Sequence, residues 1–296
     1  MSGRKARAIG CAVVLGIPIA ALGALHVLER NFSAHDLNAY LDLQRLDSNG
    51  VEIAFWRTGD PSRGRIIYVH GSPGNGGNWE AYLRDPVDGA ESIAYDRPGF
   101  GETRPREAEP SLERQSAILS SILSLREEPA VLVGHSMGVP IAVRAALDAP
   151  ARVRGIVLLA GTLDPALERP RWYNRWAAWG PLRALLPESF VVSNDELMPL
   201  GSELRDLEAR LEGWSVPTAV LHAPDDALVP FDHVRFMRRA FAGRVRVRVL
   251  EARGHLLPWN SEAEVREEIA RILRIEKGSG FSRSLSAHVD SRRVAP

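Results

Sequence analysis

A serine stands between two glycines in the segment Gly134–Gly138, which reads GHSMG and matches the pattern GxSxG. The segment follows the apolar run Ala130–Val133 and opens a stretch with helical apolar spacing. This context is typical of a nucleophile elbow, a tight turn that lifts the serine above a sheet. Such a turn crowds the backbone and so needs glycine on both sides. We therefore expect Ser136 to be a nucleophile and the Met137 amide to stabilise an oxyanion.

A serine hydroxyl is a weak nucleophile and needs a base. Among eight histidines, His255 follows Gly254 in the loop between the last predicted strand and the last predicted helix. That loop lies above the carboxyl ends of the strands, so we expect His255 to be the base. His135, beside the nucleophile, and His222, inside a predicted strand, are interpreted as residues that pack in the core or support the catalytic residues without taking part in the reaction.

A catalytic histidine needs a carboxylate that fixes its tautomer and stabilises the imidazolium. Two aspartates, Asp225 and Asp226, follow the predicted strand Thr218–His222, and either could serve. Position in the loop favours Asp226 and leaves Asp225 as a turn residue. The order Ser136, Asp226, His255 agrees with the order nucleophile, acid, base.

A second oxyanion donor is expected after an early central strand. The segment His70–Gly74, which reads HGSPG, follows the apolar run Arg65–Val69. Its glycines and proline favour an irregular loop whose amides can face the site. We expect the Ser72 amide to be the second donor and His70 to be structural.

Strand and helix signals alternate between residues 41 and 275, which predicts a mostly parallel sheet of about eight strands with helices on both faces. Ser48-Asn49-Gly50 indicates a hairpin between the first two strands. The predicted strands are Leu41–Asp47, Val51–Arg57, Arg65–His70, Ser92–Tyr95, Ala130–Gly134, Gly155–Leu159, Thr218–His222 and Arg244–Leu250, the last near a sheet edge. The predicted helices are Ser111–Arg126, Met137–Asp148, Asp232–Phe241 and Ser261–Ile275.

One insertion, residues 162–213, separates two predicted strands and has a helical pattern. Trp172, Trp176 and Trp179 share one helix face, because they are spaced i, i+4 and i+7. They could pack the insertion onto the main body. Alternatively, they could bind substrate in a pocket or touch membrane lipid, since tryptophan favours interfaces.

The two ends of the chain lie outside the predicted fold. Basic residues precede an uncharged stretch of 21 residues, 8–28, long enough as a helix to span a bilayer core of about 30 Å. Residues 1–30 are interpreted as a signal anchor with the catalytic domain on the extracytoplasmic side. A signal peptide cleaved near Ala21-Leu22-Gly23, releasing a secreted or periplasmic protein, and a buried helix are the alternatives. The tail, 278–296, is rich in serine and arginine and is predicted to be disordered.

Composition excludes several classes of function. Lys+Arg and Asp+Glu both number 37, which argues against nucleic-acid binding. The single cysteine, Cys11, allows no intrachain disulfide and no cysteine-based zinc site. The sequence has no HExxH, no GxxxxGK[ST] and no GxGxxG after a strand. No cofactor and no metal is therefore implied.

Taken together, these motifs and Asp96–Gly101, which reads DRPGFG, resemble the α/β-hydrolase superfamily over residues 41–275. The resemblance implies an α/β-hydrolase core formed by residues 41–161 and 214–275, with a lid at 162–213. It implies a serine hydrolase that cleaves an ester or amide of a small-molecule acyl substrate through an acyl-enzyme. Ser136 argues against the dehalogenases and epoxide hydrolases of the superfamily, which use aspartate at that position.

Other reactions of the superfamily stay open on the sequence. Carbon–carbon bond hydrolysis, perhydrolase or haloperoxidase chemistry and aminopeptidase chemistry would use the same triad. A catalytically silent, membrane-tethered binding protein on this scaffold is the alternative from a different class. No motif identifies protein partners.

Overall fold

The computed structural model describes residues 23–27, 37–242 and 245–275. Its centre is an eight-stranded sheet with the order β1-β2-β4-β3-β5-β6-β7-β8. The strands are β1 Gln44–Ser48, β2 Val51–Thr58, β3 Asp60–Val69, β4 Ala90–Tyr95, β5 Ala130–His135, β6 Val153–Leu159, β7 Thr218–His222 and β8 Val245–Val249. The prediction of a mostly parallel sheet of about eight strands is confirmed.

Only β2 runs against its neighbours; it pairs antiparallel with both β1 and β4, and the remaining pairs are parallel. The predicted hairpin joins β1 to β2, with Ser48 opposite Val51. Its two turn residues, Asn49 and Gly50, have φ values of 56° and 82°. Left-handed values at both positions are those of a tight hairpin turn, which explains why Asn-Gly occurs here.

Ten α-helices of the described residues cover the sheet or form the insertion. They are α1 Glu80–Arg84, α2 Leu112–Leu123, α3 Gly138–Asp148, α4 Trp172–Ala177, α5 Gly180–Arg183, α6 Glu188–Leu197, α7 Leu200–Glu208, α8 Asp232–Ala240, α9 Leu257–Asn260 and α10 Glu262–Leu273. The sheet separates two apolar clusters, because alternate residues of a strand point to opposite faces. In the central strand β5 all six residues are buried, as expected for a strand covered by helices on both sides.

The last strand, β8, lies at one edge of the sheet, as predicted. Its sequence alternates valine and arginine. The arginines pair with the helix α10: Arg246 Nε lies 3.0 Å from Glu268 Oε1, and Arg248 Nη1 lies 2.6 Å from Glu267 Oε2. One margin of the sheet therefore carries charged side chains beside its backbone groups.

Some predicted bounds differ from the structure. The first strand begins at Gln44 rather than Leu41, and β3 begins at Asp60, five residues before the apolar run that predicted it. The helix α1 had no clear signal, because its five residues make little more than one turn.

The predicted N-terminal anchor falls outside the described residues except for 23–27, and the predicted disordered tail falls outside them entirely. In the described ranges, no helix combines the length and the apolar character that a bilayer crossing requires.

The insertion folds as the four helices α4 to α7. Trp172, Trp176 and Trp179 are 74%, 56% and 57% exposed. The prediction that these side chains pack the insertion onto the main body is therefore wrong. The helix that carries Trp172 and Trp176 ends at Ala177, so Trp179 lies beyond it and the predicted common helix face does not extend to that residue.

Candidate active site

Ser136 occupies the turn between β5 and α3 and has a left-handed φ of 52°. This strained turn depends on its glycines. A methyl group added to Gly134 would lie 2.6 Å from the Gly138 carbonyl oxygen, and one added to Gly138 would overlap the Val69 carbonyl oxygen. The Ser136 amide donates to the Leu159 carbonyl on the neighbouring strand β6 at 3.0 Å. The sequence thus forms the sharp strand-to-helix turn of a nucleophile elbow.

A histidine and a carboxylate meet on the loops that follow β8 and β7. His255 Nδ1 lies 2.8 Å from Asp226 Oδ2. The other oxygen of this carboxylate, Oδ1, accepts from the amides of Leu228 and Val229, both at 2.9 Å. The Asp226 side chain is fully buried, whereas 11% of the His255 side chain is exposed. The structure therefore gives His255 a carboxylate that is itself held in place.

Burial alone would raise the pKa of Asp226, but the hydrogen bond and charge of His255 and the two amides outweigh it, so the pKa lies below its usual value. The carboxylate consequently stays ionised near neutral pH and can stabilise an imidazolium. The adjacent Asp225 makes a different contact, because its Oδ1 accepts from the Gly254 amide at 3.3 Å. This bond connects Asp225 to the backbone of the loop that carries His255, and it does not involve the imidazole ring.

His135, beside the nucleophile, also reaches the His255 loop. Its Nε2 lies 3.0 Å from the His255 carbonyl oxygen, and the two rings are 4.8 Å apart. Burial, reinforced by His255, lowers the pKa of His135 to about 3. A neutral His135 donates from Nε2 to the His255 carbonyl oxygen and so connects the turn at Ser136 to the loop that carries His255. The sequence predicts a packing or supporting role for His135 but not its partner, since 120 residues separate the two.

The loop after β3 lies against Ser136. A methyl group added to Gly71 would lie 3.1 Å from Ser136 Cβ. The next residue, Ser72, belongs to the predicted oxyanion loop, and Met137, the other predicted donor, immediately precedes α3. An amide at a helix N-terminus favours negative charge. The described residues include no hydrogen bond between the Ser136 hydroxyl and His255; such bonds often tighten only when substrate binds.

The buried guanidinium of Arg97 donates hydrogen bonds to the predicted oxyanion loop. Arg97 donates from Nε to the His70 carbonyl at 3.1 Å and from Nη2 to the Gly71 carbonyl at 2.9 Å. The Arg97 amide donates to His70 Nε2 at 3.0 Å. His70 is thus a structural residue of this loop. The Asp96–Gly101 motif identified the segment that contains Arg97, but it did not predict the hydrogen bonds that Arg97 forms.

The counter-charge of Arg97 comes from the insertion. Glu196 on α6 lies 2.5 Å from Arg97 Nη1, and both side chains are fully buried. The same carboxylate accepts from Gln115 at 3.0 Å and from the Ser72 hydroxyl at 2.7 Å. Sequence analysis missed Glu196, because no local pattern distinguishes it from the other acidic residues of a predicted helix.

The three tryptophans of the insertion contact other aromatic residues of the same insertion. The rings of Trp176 and Trp179 are 6.0 Å apart, and those of Trp172 and Tyr173 are 5.9 Å apart. These contacts do not assign the tryptophans to a substrate pocket. As for metal sites, the described ranges contain no group of three or more His, Cys, Asp or Glu side chains placed to hold an ion.

The fold agrees with comparisons to known proteins. Residues 66–268 match the model of the alpha/beta hydrolase family, so the chain belongs to that family. A similar solved structure is 2-hydroxy-6-oxo-6-phenylhexa-2,4-dienoate hydrolase from Rhodococcus sp. strain RHA1, with a TM-score of 0.63 and 18% identity over 79% of this chain and 99% of that one. At this identity the likeness concerns the fold.

Two curated relatives match by sequence. The dihydrolipoyllysine-residue acetyltransferase component of the acetoin cleaving system of Cupriavidus necator is 31% identical over 118 residues, which is 40% of this chain and 31% of that protein. The biotin biosynthesis bifunctional protein of Cellvibrio japonicus is 26% identical over 270 residues, 78% of this chain and 50% of that protein. The chain thus spans half or less of the length of these relatives.

Proposed function

We propose that the protein is a serine hydrolase that cleaves an ester or amide bond of a small-molecule acyl substrate through an acyl-enzyme. One observation carries the proposal: His255 Nδ1 lies 2.8 Å from a fully buried Asp226 carboxylate, and the His255 backbone is bonded to His135, the residue beside Ser136. The elbow, the base and the acid therefore belong to one hydrogen-bonded assembly, which suits nucleophilic acyl transfer.

The roles of the side chains follow from their chemistry. His255 Nε2 accepts the Ser136 proton as Oγ attacks the carbonyl carbon, and Asp226 stabilises the resulting imidazolium. The amides of Met137 and Ser72 donate to the oxyanion. The imidazolium then protonates the leaving alkoxide or amine. Water, deprotonated by His255, attacks the acyl-enzyme and releases the acid, and Ser136 regains its proton.

The test is covalent labelling of the full chain with a fluorophosphonate probe. We expect the probe to modify Ser136 and to find no reactive serine in Ser136→Ala. Ser202→Ala is a matched control, since Ser202 is exposed and bonds only to the Pro199 carbonyl in the described structure. Labelling of the wild type at another serine, or no labelling, would contradict the proposal and favour a catalytically silent fold.

A panel of p-nitrophenyl esters of increasing acyl length, with matched anilides, then tests the substrate class. We expect turnover of esters with a chain-length optimum and loss of nearly all turnover in Ser136→Ala. One oxyanion donor contributes about 10²–10³-fold and general-base catalysis about 10²–10⁴-fold, so hydrolysis should far exceed the background rate. A labelled but ester-inactive enzyme would favour carbon–carbon bond hydrolysis or perhydrolysis by the same triad.

We also propose that residues 8–28 anchor the protein, with the catalytic domain on the extracytoplasmic side, and that residues 162–213 form a lid. The uncharged length after basic residues supports the anchor, and the bonds from Ser72 to Ser193 and Glu196 support the lid. Carbonate washing should leave an anchored protein with the membranes. Its release into the supernatant would favour cleavage of the segment.

A further inference from the structure

The insertion presents large aromatic side chains to solvent. Trp172, Trp176 and Trp179 are each more than half exposed, and Tyr173 and Leu185 are 48% and 56% exposed. These residues lie on α4 and α5 and in the segments that adjoin them. The ring of Trp172 contacts that of Tyr173, and the ring of Trp176 contacts that of Trp179. Scattered exposed apolar residues are ordinary, but a contiguous group indicates a surface that something else covers.

The helix α4 reverses the usual arrangement of a surface helix. Its only buried residue is the polar Asn174. Asn174 Nδ2 donates to Asn194 Oδ1 at 3.0 Å, and Asn194 Nδ2 donates to the Asn174 carbonyl at 3.1 Å. Polar groups thus fix the helix to α6, while its aromatic residues point away. An ordinary amphipathic helix buries its apolar stripe in its own protein.

Arginines predominate in the chain segment that carries this aromatic group. From Arg169 to Pro187 the chain contains four arginines and neither aspartate nor glutamate. Arg183 is neutralised by Asp195, with distances of 2.6 and 2.7 Å. The other three arginines, Arg169, Arg171 and Arg175, are exposed.

We propose that this Trp–Arg surface, formed by Arg169, Arg171, Trp172, Arg175, Trp176 and Trp179, binds an anionic phospholipid bilayer. Indole rings favour the boundary between headgroups and acyl chains, because one edge is polar and the rest apolar. Arginines beside them attract anionic headgroups. The surface contacts lipid through the insertion, so the proposal stands apart from any anchoring by residues 8–28 and from the chemistry at Ser136.

A second copy of the chain fits this surface poorly. A two-fold interface would place the same patch against itself, and three exposed arginines would then face three others. Like charges set opposite each other cost several kcal/mol at an interface. An anionic sheet of headgroups carries the complementary charge.

The test uses the full chain, labelled at one position with an environment-sensitive NBD dye and reconstituted in vesicles. Cys11→Ala removes the native thiol, and Trp176→Cys places the dye in the Trp–Arg surface. Arg63→Cys is the matched control, because the Arg63 side chain is 66% exposed. Arg63 lies on β3 near the amino ends of the parallel strands, whereas the insertion leaves the sheet at their carboxyl ends. Circular dichroism verifies that each variant is folded.

We expect the dye at position 176 to shift to the blue in phosphatidylglycerol vesicles and to stay unshifted in pure phosphatidylcholine, and the dye at position 63 to stay unshifted in both. Replacing Arg169, Arg171 and Arg175 by glutamine should lower the equilibrium constant for this contact about 100-fold, since each basic residue near an anionic surface contributes about fivefold. No shift at position 176, an equal shift in both lipids, or a lipid-independent shift that follows protein concentration would overturn the proposal.

Discussion

At the scale of single residues, the candidate site is held in place before any substrate arrives. Asp226 uses both carboxylate oxygens, one for His255 and one for two backbone amides. Ser136 keeps a left-handed φ that costs about 1–3 kcal/mol for a residue with a side chain. Strain of this kind persists only where the surroundings determine the backbone, as the neighbouring Gly71 and His135 do here. The site is therefore rigid where chemistry needs fixed distances.

The neighbouring aspartates give a matched pair of variants. We expect Asp226→Asn to lower kcat on the order of 10³-fold, because the amide no longer fixes the tautomer and charge of His255. Asp225→Asn keeps an oxygen that can accept from the Gly254 amide, and its kcat should stay within about threefold of the wild type. Steady-state hydrolysis of an activated ester measures both. Comparable losses from the two substitutions would show that Asp226 is not the acid.

The sequence predicts such residues unequally. Ser136 has a local signature, because the glycines on both sides are needed by the turn itself. His255 and Asp226 follow from their places after strands. His135 and Glu196 act through partners 120 and 99 residues away, and nothing in their local sequence records such a contact. A pattern reports periodicity and turn chemistry, whereas long-range bonds depend on the completed fold.

At the scale of elements, α6 connects the insertion to the loop beside the nucleophile. Its Glu196 meets Arg97, Gln115 and Ser72, and the side chains of Glu196 and Arg97 are fully buried. A buried ion pair of this kind adds little net stability, but the loss of one partner leaves the other charge uncompensated. The helix and the predicted oxyanion loop are therefore fixed together.

Two glutamates on this helix test that connection. We expect Glu196→Ala to lower the free energy of unfolding by about 3–5 kcal/mol, since Arg97 would stay buried and unpaired. Glu188→Ala removes an exposed pair with Arg106, in which both side chains are about half exposed, and should cost under about 1 kcal/mol. Urea unfolding followed by circular dichroism measures the difference. Equal losses would contradict a special role for the buried carboxylate.

Elements were predicted best where one force dominates. Short apolar runs identified the strands β4 to β7, because burial on both faces requires apolar residues throughout. The edges of elements were predicted less well: β3 begins with the polar segment from Asp60, where pairing extends beyond the apolar run. For the tryptophans, helical spacing indicated a common face, but spacing alone does not state whether that face meets protein or solvent.

At the scale of the whole molecule, the interior holds several titratable groups in neutral form. Burial lowers the pKa of His70, His135 and His222, so each is neutral in the folded protein at pH values where it would be charged in the unfolded chain. Asp96 behaves oppositely, because burial raises its pKa to about 6. Folding is thus linked to pH through the core as well as the surface.

The direction of this linkage is determined by proton uptake. Below the ordinary histidine pKa of about 6.5, the unfolded chain binds up to three protons that the folded protein takes up only at lower pH, and Asp96 in the folded protein binds one. We expect the free energy of unfolding to fall as pH decreases from 6.5 to 5, by up to about 3 kcal/mol per pH unit for a net difference of two protons. Urea unfolding at pH 7, 6 and 5 measures this slope.

His222→Leu provides the control for this slope, because it removes one of the three histidines. The pH dependence should then weaken by up to one proton, or at most about 1.4 kcal/mol per pH unit. A slope that the substitution leaves unchanged would mean that His222 does not contribute to the linkage.

The arginines of β8 bear on how molecules meet at high concentration. The last strand of an open sheet offers free amide and carbonyl groups that can recruit an extended segment from another chain. Arg246 and Arg248 stand on this margin with their partners on α10, and a recruited strand would have to settle beside those long, hydrated side chains. These side chains therefore disfavour pairing of β8 with a strand of another molecule. Aggregation through this edge of the sheet is thereby disfavoured at high protein concentration.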